Sequence, residues 1–288
     1  MISIIGIGTG ASAIAEGFED LPQYRVYTLN DKVEKNSTYK RKLKRFDEPE
    51  EYEKNVPDLR KFFAKVDDRV QVFIIGSTYS SNYALGILEQ IKDKKIDIFY
   101  VKPDITLLTG IPRLMEGAVF GVLQEYARSG LFNSMTLLSN RNLEAVLGDV
   151  PIKKFYESLN ASIISTVHYL NYFDHNEPEI GIMARPSEIS RIRTIGILEP
   201  NKLSEKWLFD LDMHREVCYY ICINKEKLET DGSLHKRLVT ILKEKPRNAF
   251  RKVSYAIYET EYGKDFGFVV AHTNAIQQQK TLDKIEQE

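Results

Sequence analysis

Short apolar runs separated by helically spaced segments fill the first half of the chain. Residues 2–5, 24–29, 70–75, 96–101 and 134–138 are runs of strand length, and helices are predicted after Ala11, over 83–92 and over 113–128. Strands that alternate with helices build a parallel sheet with helices on both faces, and strands covered on both faces lack a polar side. Residues 158–172 then carry Ile163, Ile164, Val167 and Leu170 at helical spacing, a length that suits a central helix joining two halves. Pro178 and Pro186 bracket a short apolar stretch at 180–184 and act as punctuation. From Thr194 onward the pattern predicts strands at 195–198, 217–223, 253–259 and 266–272, with a helix near 232–243. The fold class is therefore α/β with a parallel sheet, a long central helix and a smaller α+β part at the C-terminal side.

Two segments depart from this rhythm. Residues 32–69 are rich in Lys, Glu, Arg and Asp with Pro49 and Pro57, and read as a charged face or a flexible insertion. Within them, residues 40–45 hold five basic side chains in six, an anion contact only if the fold sets them beside a pocket. The last residues, 277–288, are polar and read as a helical or frayed tail.

Composition removes several function classes. At 288 residues with 43 % apolar side chains the chain can bury a substantial core, and a formal charge of −1 gives no general attraction to nucleic acid or an anionic membrane. No apolar run approaches the roughly 18 residues of a membrane span, and residue 2 enters a strand directly. A cytoplasmic protein is expected, in a host cytoplasm if the chain is viral, with no nucleic-acid partner and no membrane insertion. Cys218 and Cys222 fall on one face of a strand about 13 Å apart, too far to pair with each other, and read as small buried apolar groups. The five histidines are scattered, with no metal spacing.

The candidate chemistry lies in loops that follow the predicted strands. Gly6, Gly8 and Gly10 come after the first strand and before a helix, where glycines let backbone N–H groups approach a phosphate. Gly6-x-Gly8-x-x-Ala11 also fits a dinucleotide-binding pattern, with Asn30-Asp31 ending the second strand about twenty residues on, so a nicotinamide-dependent oxidoreductase stays open as an alternative. A dinucleotide fold has no need of the hydroxyl-rich loop Gly76-Ser77-Thr78-Tyr79-Ser80-Ser81-Asn82, which offers hydroxyls and a helix N-terminus to a further phosphate.

These loops, in this order, resemble the nucleotide loops of the tubulin and FtsZ superfamily over about residues 2–195. Ile4-Ile5-Gly6-Ile7-Gly8-Thr9-Gly10 resembles the first glycine loop of FtsZ, and Leu29-Asn30-Asp31 the loop after its second strand. Lys102-Pro103 leading to Gly110-x-x-Arg113 is similar to the FtsZ segment whose arginine contacts the nucleotide. Asn140 with Leu143 matches part of the next helix start, and Asn160-Ala161 resembles the start of the tubulin central helix, whose asparagine recognises guanine. The resemblance implies GTP or GDP as the ligand, held by Gly6, Gly8, Gly10, Asn30, Gly76, Ser77, Thr78, Ser80, Ser81, Gly110, Arg113, Asn140 and Asn160. It also implies head-to-tail self-association, because in the family an acidic loop reaches the nucleotide of the next subunit. The implied division is 1–157 for the nucleotide-binding-type domain, 158–193 for the central helix and following loop, 194–275 for the smaller α+β domain and 276–288 for the tail.

The departures from the family pattern bear on activity. The family loop GGGTGTG keeps only Gly76 here, and non-glycine residues resist positive φ, so the same phosphate cradle is not expected and triphosphate affinity should be weakened or lost. Of the family's catalytic acids, Glu188 in 185–191 or Asp174 in 171–177 could stand in, neither with the full acidic pattern. The expectation is a filament-type or structural protein with a degenerate or altered guanine-nucleotide pocket and weak or no hydrolysis; the alternative within the fold is an active GTP-hydrolysing polymer.

Overall fold

The computed structural model describes residues 1–246 and 251–278. β1 (Ile2–Ile7) leads to α1 (Thr9–Glu16), β2 (Tyr24–Asn30), a short β3 (Lys40–Lys42) and α2 (Pro49–Lys54). β4 (Arg69–Ile75), α3 (Ala84–Glu89), β5 (Lys95–Lys102), α4 (Gly110–Arg128), β6 (Ser134–Ser139) and α5 (Asn140–Leu147) follow. α6 (Phe155–His175) crosses to β7 (Ile180–Ile182), β8 (Ile192–Glu199), β9 (Ser204–Trp207) and β10 (Glu216–Asn224). The chain then runs through α7 (Lys225–Thr230), α8 (Leu234–Glu244), β11 (Lys252–Thr260) and β12 (Phe266–Thr273). Each apolar run read from the sequence lies within a strand one to three residues longer at an end. Much of the difference is polar: Arg69, Lys95, Lys102 and Glu216 join the ladders without adding to the apolar pattern, while Ile7 and Ile192 extend β1 and β8 past a glycine and a polar pair.

All the strands belong to one sheet in the order β3-β2-β1-β4-β5-β6-β8-β12-β10-β11-β7, with β9 beside β8. From β3 to β8 every neighbour is parallel; beyond β8 the pairings are antiparallel except β10 with β11. β8 meets β6 only over Met135↔Ile192, Thr136↔Arg193 and Leu137↔Thr194, and its other half pairs with β9. Side chains reinforce that short seam: Arg193 Nε donates to Thr136 Oγ1 at 2.8 Å and Thr194 Oγ1 to the Leu137 carbonyl at 2.9 Å.

Each face of the sheet carries its own apolar cluster, which is why β1 is buried at all six positions. α6 buries Leu159, Ile163, Val167, Leu170 and Phe173 along one stripe, and extends three residues beyond the predicted run at each end. Polar groups fix its second half. Gln71 Nε2 donates to Asn171 Oδ1 at 2.7 Å and Asn171 Nδ2 returns a bond to Gln71 Oε1 at 2.9 Å; the Tyr24 hydroxyl lies 2.9 Å from His168 Nδ1, and Arg69 pairs with Asp174 at 2.7 Å.

Residues 32–69 are no flexible insertion. Their surface is charged, but Leu43, Phe46, Tyr52, Leu59 and Phe63 are buried in the main cluster, and the Tyr52 hydroxyl donates to the Phe46 carbonyl at 2.7 Å. Wide spacing of these anchors hid them from a periodicity reading. Of the predicted tail, Gln277 is buried and its N–H donates to Gln124 Oε1 at 2.7 Å, while 279–288 lie outside the described residues. Cys218 and Cys222 are free and buried, and burial pushes the Cys222 thiol up to about 12.

His272 on β12 is buried, and loss of solvation with the nearby Arg193 cation lowers its pKa to about 3. The unfolded chain takes up this proton near pH 6.5, so stability is complete above that pH and falls as pH drops toward 3. Chemical-denaturation midpoints measured from pH 7 to pH 4 should decline, and His272→Gln should decline less steeply; equal slopes would refute the assignment.

Candidate functional site

α1 starts where β1 ends, and glycine makes the passage feasible. A Cβ on Gly6 would lie 2.5 Å from the Ala11 carbonyl oxygen, so the helix backbone packs directly on the strand. Gly8 has φ 102°, a conformation L side chains rarely adopt; its N–H donates to the Leu29 carbonyl at 2.7 Å and its carbonyl accepts from Ser12 N–H at 2.8 Å. The space a Gly8 Cβ would fill borders Ser80 Cβ at 3.3 Å and Thr78 Oγ1 at 3.4 Å, and one on Gly10 would meet Ile75 Cδ1 at 2.7 Å. The loops after β1 and β4 therefore touch at the C-terminal edge of the parallel strands, where open α/β sheets bind ligands.

The β4 loop solves its missing glycines locally. Gly76 donates to the Val101 carbonyl at 3.0 Å and is backed by the Tyr100 ring and Pro103. Ser77 itself takes φ 60°, so a non-glycine residue does adopt the left-handed region here, contrary to the sequence expectation. Thr78 caps the single-turn 3-10 helix Tyr79–Tyr83: its Oγ1 accepts from Ser81 N–H at 3.2 Å and donates to the Ile75 carbonyl at 3.0 Å, and Ser81 Oγ donates to the Thr78 carbonyl at 2.6 Å. These hydroxyls hold the turn. Ser80 is buried beside Gly8.

Other candidates take their places around this contact. Asn30 is buried, with Nδ2 donating to Ser12 Oγ at 2.8 Å and Oδ1 accepting from Lys32 N–H at 2.9 Å, so it braces the loops from beneath. Gly110, at φ 61°, opens α4, and Arg113 sits half-exposed in its first turn with no hydrogen bond or ion pair among the described residues. One turn on, the buried Glu116 faces Lys102 at 3.1 Å and the Tyr100 hydroxyl at 3.2 Å, which ties α4 to the strand behind Gly76. Desolvation lowers the Lys102 pKa. Asn140 begins α5, and Asn160 lies in the second turn of α6, half-buried.

The two candidate acids are at the other end of the strands. Asp174 is in the last turn of α6, not in a loop, and is bound to Arg69 at the start of β4. Glu188 is exposed in the loop leading to the start of β8, where the neighbouring Arg191 reaches the Phe132 and Asn133 carbonyls before β6. The structure thus joins Gly8, Thr78 and Ser80 directly and Gly6, Gly10, Asn30 and Gly76 around them, and separates both acids from that group.

The basic segment 40–45, an anion contact only on condition of its placement, enters here. The Arg45 guanidinium lies 3.5 Å over the ring of Tyr79. The run of five basic residues was the available signal, but only the pairing of β3 with β2 places it at this edge. A cavity of about 920 Å³ lies instead between α6 and the ends of β10 and β11, lined by Tyr169, Tyr258 and Tyr262. It holds none of the glycine or hydroxyl loops, and the candidate site remains at the sheet edge. Among the described residues no group of three or more His, Cys, Asp or Glu is arranged to hold a metal ion.

A glycine turn and a hydroxyl turn meet over the ends of parallel strands and form the loop-built edge of an α/β fold. The sequence matches no protein-family model and none of the curated proteins. Solved structures do resemble it: TubZ of Bacillus thuringiensis serovar israelensis in a GTPγS-form protofilament has a TM-score of 0.70 at 11 % identity, over 96 % of this chain and 87 % of that one. GDP-form protofilaments of the same TubZ give 0.69 at 12 % identity, over 96 % and 85 %. An empty FtsZ dimer of M. jannaschii gives 0.62 at 13 % identity, over 94 % and 88 %. The chain has the tubulin/FtsZ fold, as the resemblance of its loops implied, and the oxidoreductase alternative is not favoured.

Because Gly8 combines φ 102° with contact to Ser80, Gly8→Ala should cost about 1–3 kcal/mol. Gly121→Ala, in open space on α4, should instead stabilise by roughly 0.5–1 kcal/mol. Urea midpoints of the two variants should move in opposite directions.

Proposed function

We propose that the chain is a divergent tubulin/FtsZ-type protein that self-associates head to tail into filaments, binds a guanine nucleotide in an altered pocket, and hydrolyses it weakly or not at all. The observation that carries this reading is the meeting of the Gly8 and Thr78–Ser80 loops at one end of the strands with both candidate acids at the other. A hydrolytic acid and a nucleotide so separated act together only if a second copy brings its lower end to the first copy's loops. The resembling structures include GTPγS-form and GDP-form protofilaments and a two-stranded filament, which supports both the ligand class and the assembly.

Exposed apolar side chains favour the same assembly. Leu107, in the turn before α4, and Ile111 and Leu114, in its first turns, stand out near the loop edge, and Ile189 stands out beside Glu188 at the opposite end. In this reading residues 1–157 carry the nucleotide, 158–193 connect, and 194–275 form the smaller unit. Hydrolysis is weak because Asp174 is engaged by Arg69 and Glu188 stands without a second acid in the family pattern. Loss of a positioned base costs on the order of 10²–10⁴ in rate. No helix among the described residues is long and apolar enough to cross a membrane, and a cytoplasmic site of action fits this role.

The purified protein should bind GTP and GDP in preference to ATP and NAD, pellet on ultracentrifugation with GTP, and turn GTP over near background. Ile111→Asp with Leu114→Asp should abolish pelleting while leaving nucleotide binding intact. Equal binding of all four nucleotides, or none, would refute the ligand assignment. Concentration-dependent hydrolysis lost in Glu188→Ala or Asp174→Ala would show an active GTPase polymer instead.

A further inference from the structure

Residues 42–46 are fastened to the end of β2, to α2 and to the turn that follows β4. Leu43 N–H donates to the Asn30 carbonyl at 2.9 Å, and the Lys44 carbonyl accepts from the Tyr83 hydroxyl at 2.8 Å. Phe46 N–H donates to the Tyr52 hydroxyl at 3.0 Å, whose ring meets that of Tyr83 at 4.8 Å. Arg45 is thus held between two anchored backbone groups, and its guanidinium stacks 3.5 Å over Tyr79, the residue between Thr78 and Ser80 that border Gly8. Tyr79 is 48 % exposed, so the stack forms an outer wall of the loop edge. Lys42 stands beside Asn30 in the register of β3 with β2.

The charge of this wall is uncompensated. Lys40 is paired with Glu16 at 2.8 Å, whereas among the described residues Arg41, Lys42, Lys44 and Arg45 form no ion pair. Glu34, Asp47 and Glu48, the acids nearest in sequence on either side, make no ion pair with them among the described residues, and Asp31 accepts from Thr9 Oγ1 at 3.2 Å. A guanidinium stacked flat on a ring keeps its N–H edges in plane, the geometry for bidentate contact with phosphate oxygens.

We infer that Arg45, seconded by Lys42, binds the terminal phosphates of a nucleoside triphosphate at the Gly8 and Thr78–Ser81 edge, supplying by side-chain charge what a glycine-rich backbone cradle would supply by N–H groups. The inference rests on the nucleotide reading above and assigns its phosphate contacts. Titration of the full chain with GTP, GDP and GMP tests it, comparing wild type, Arg45→Ala, Arg45→Gln and, as a distant control, Lys92→Ala.

Hydrogen bonds to charged groups are strong enough that losing this contact should weaken GTP binding about tenfold or more. The loss should shrink along the series to GMP and be absent in Lys92→Ala. Arg45→Gln keeps a planar group over Tyr79 and should show the same loss, so a folding defect peculiar to the alanine variant is caught. A loss below threefold with GTP, or an equal loss with GMP, overturns the phosphate assignment while wild-type binding leaves the nucleotide reading standing. Wild-type protein that binds no GTP overturns both.

Discussion

The backbone of α1 passes over β1 at Gly6 with no room for a side chain, and the geometry of the loop edge descends from that close crossing. With Ala11 and Ser12 pressed on the strand, the connecting residues must turn through the positive φ of Gly8, and Ser12 comes within reach of Asn30. The same crossing sets Gly10 against Ile75 at the end of β4, so the loops after β1 and β4 share a packing contact and are not independent decorations. A methyl group added at Gly6 would act on both loops and on β2 together.

A second consequence concerns the segment between β2 and β4. It looks expendable in sequence because its charged residues dominate, yet Phe46, Tyr52 and Tyr83 interlock as a ring cluster that delivers Arg45 to the edge. The buried aromatics set the position, while the basic residues around them are left to set the potential. Division of labour of this kind explains how a run of like charge can be tolerated on a folded surface: the anchoring energy comes from groups that carry no charge.

The strands and the central helix were legible because their apolar periods are strong; Ile163, Val167 and Leu170 announce α6 without help. The ends were not, since Arg69, Lys95 and Glu216 continue the ladders as polar residues. The glycine loops could be found from their order along the chain, but the contact between Gly8 and Ser80 could not, because it depends on β1 and β4 being sheet neighbours. Asn30 shows the limit from another side: the residue was singled out for a ligand, and the structure engages its amide with Ser12 and Lys32. Short β3, β7 and β9 left no readable period at three or four residues each.

The polar fixings of α6 are all on one half of the helix. His168, Asn171 and Asp174 are bonded to Tyr24, Gln71 and Arg69, while Asn160 lies more than two turns before the first of them, toward the loop edge. A 21-residue helix is about 30 Å long, and sliding it by a single 1.5 Å step would disturb all three fixings at once. The helix is therefore keyed along its axis by its second half, and its register against the strands is set there, away from the end that carries Asn160.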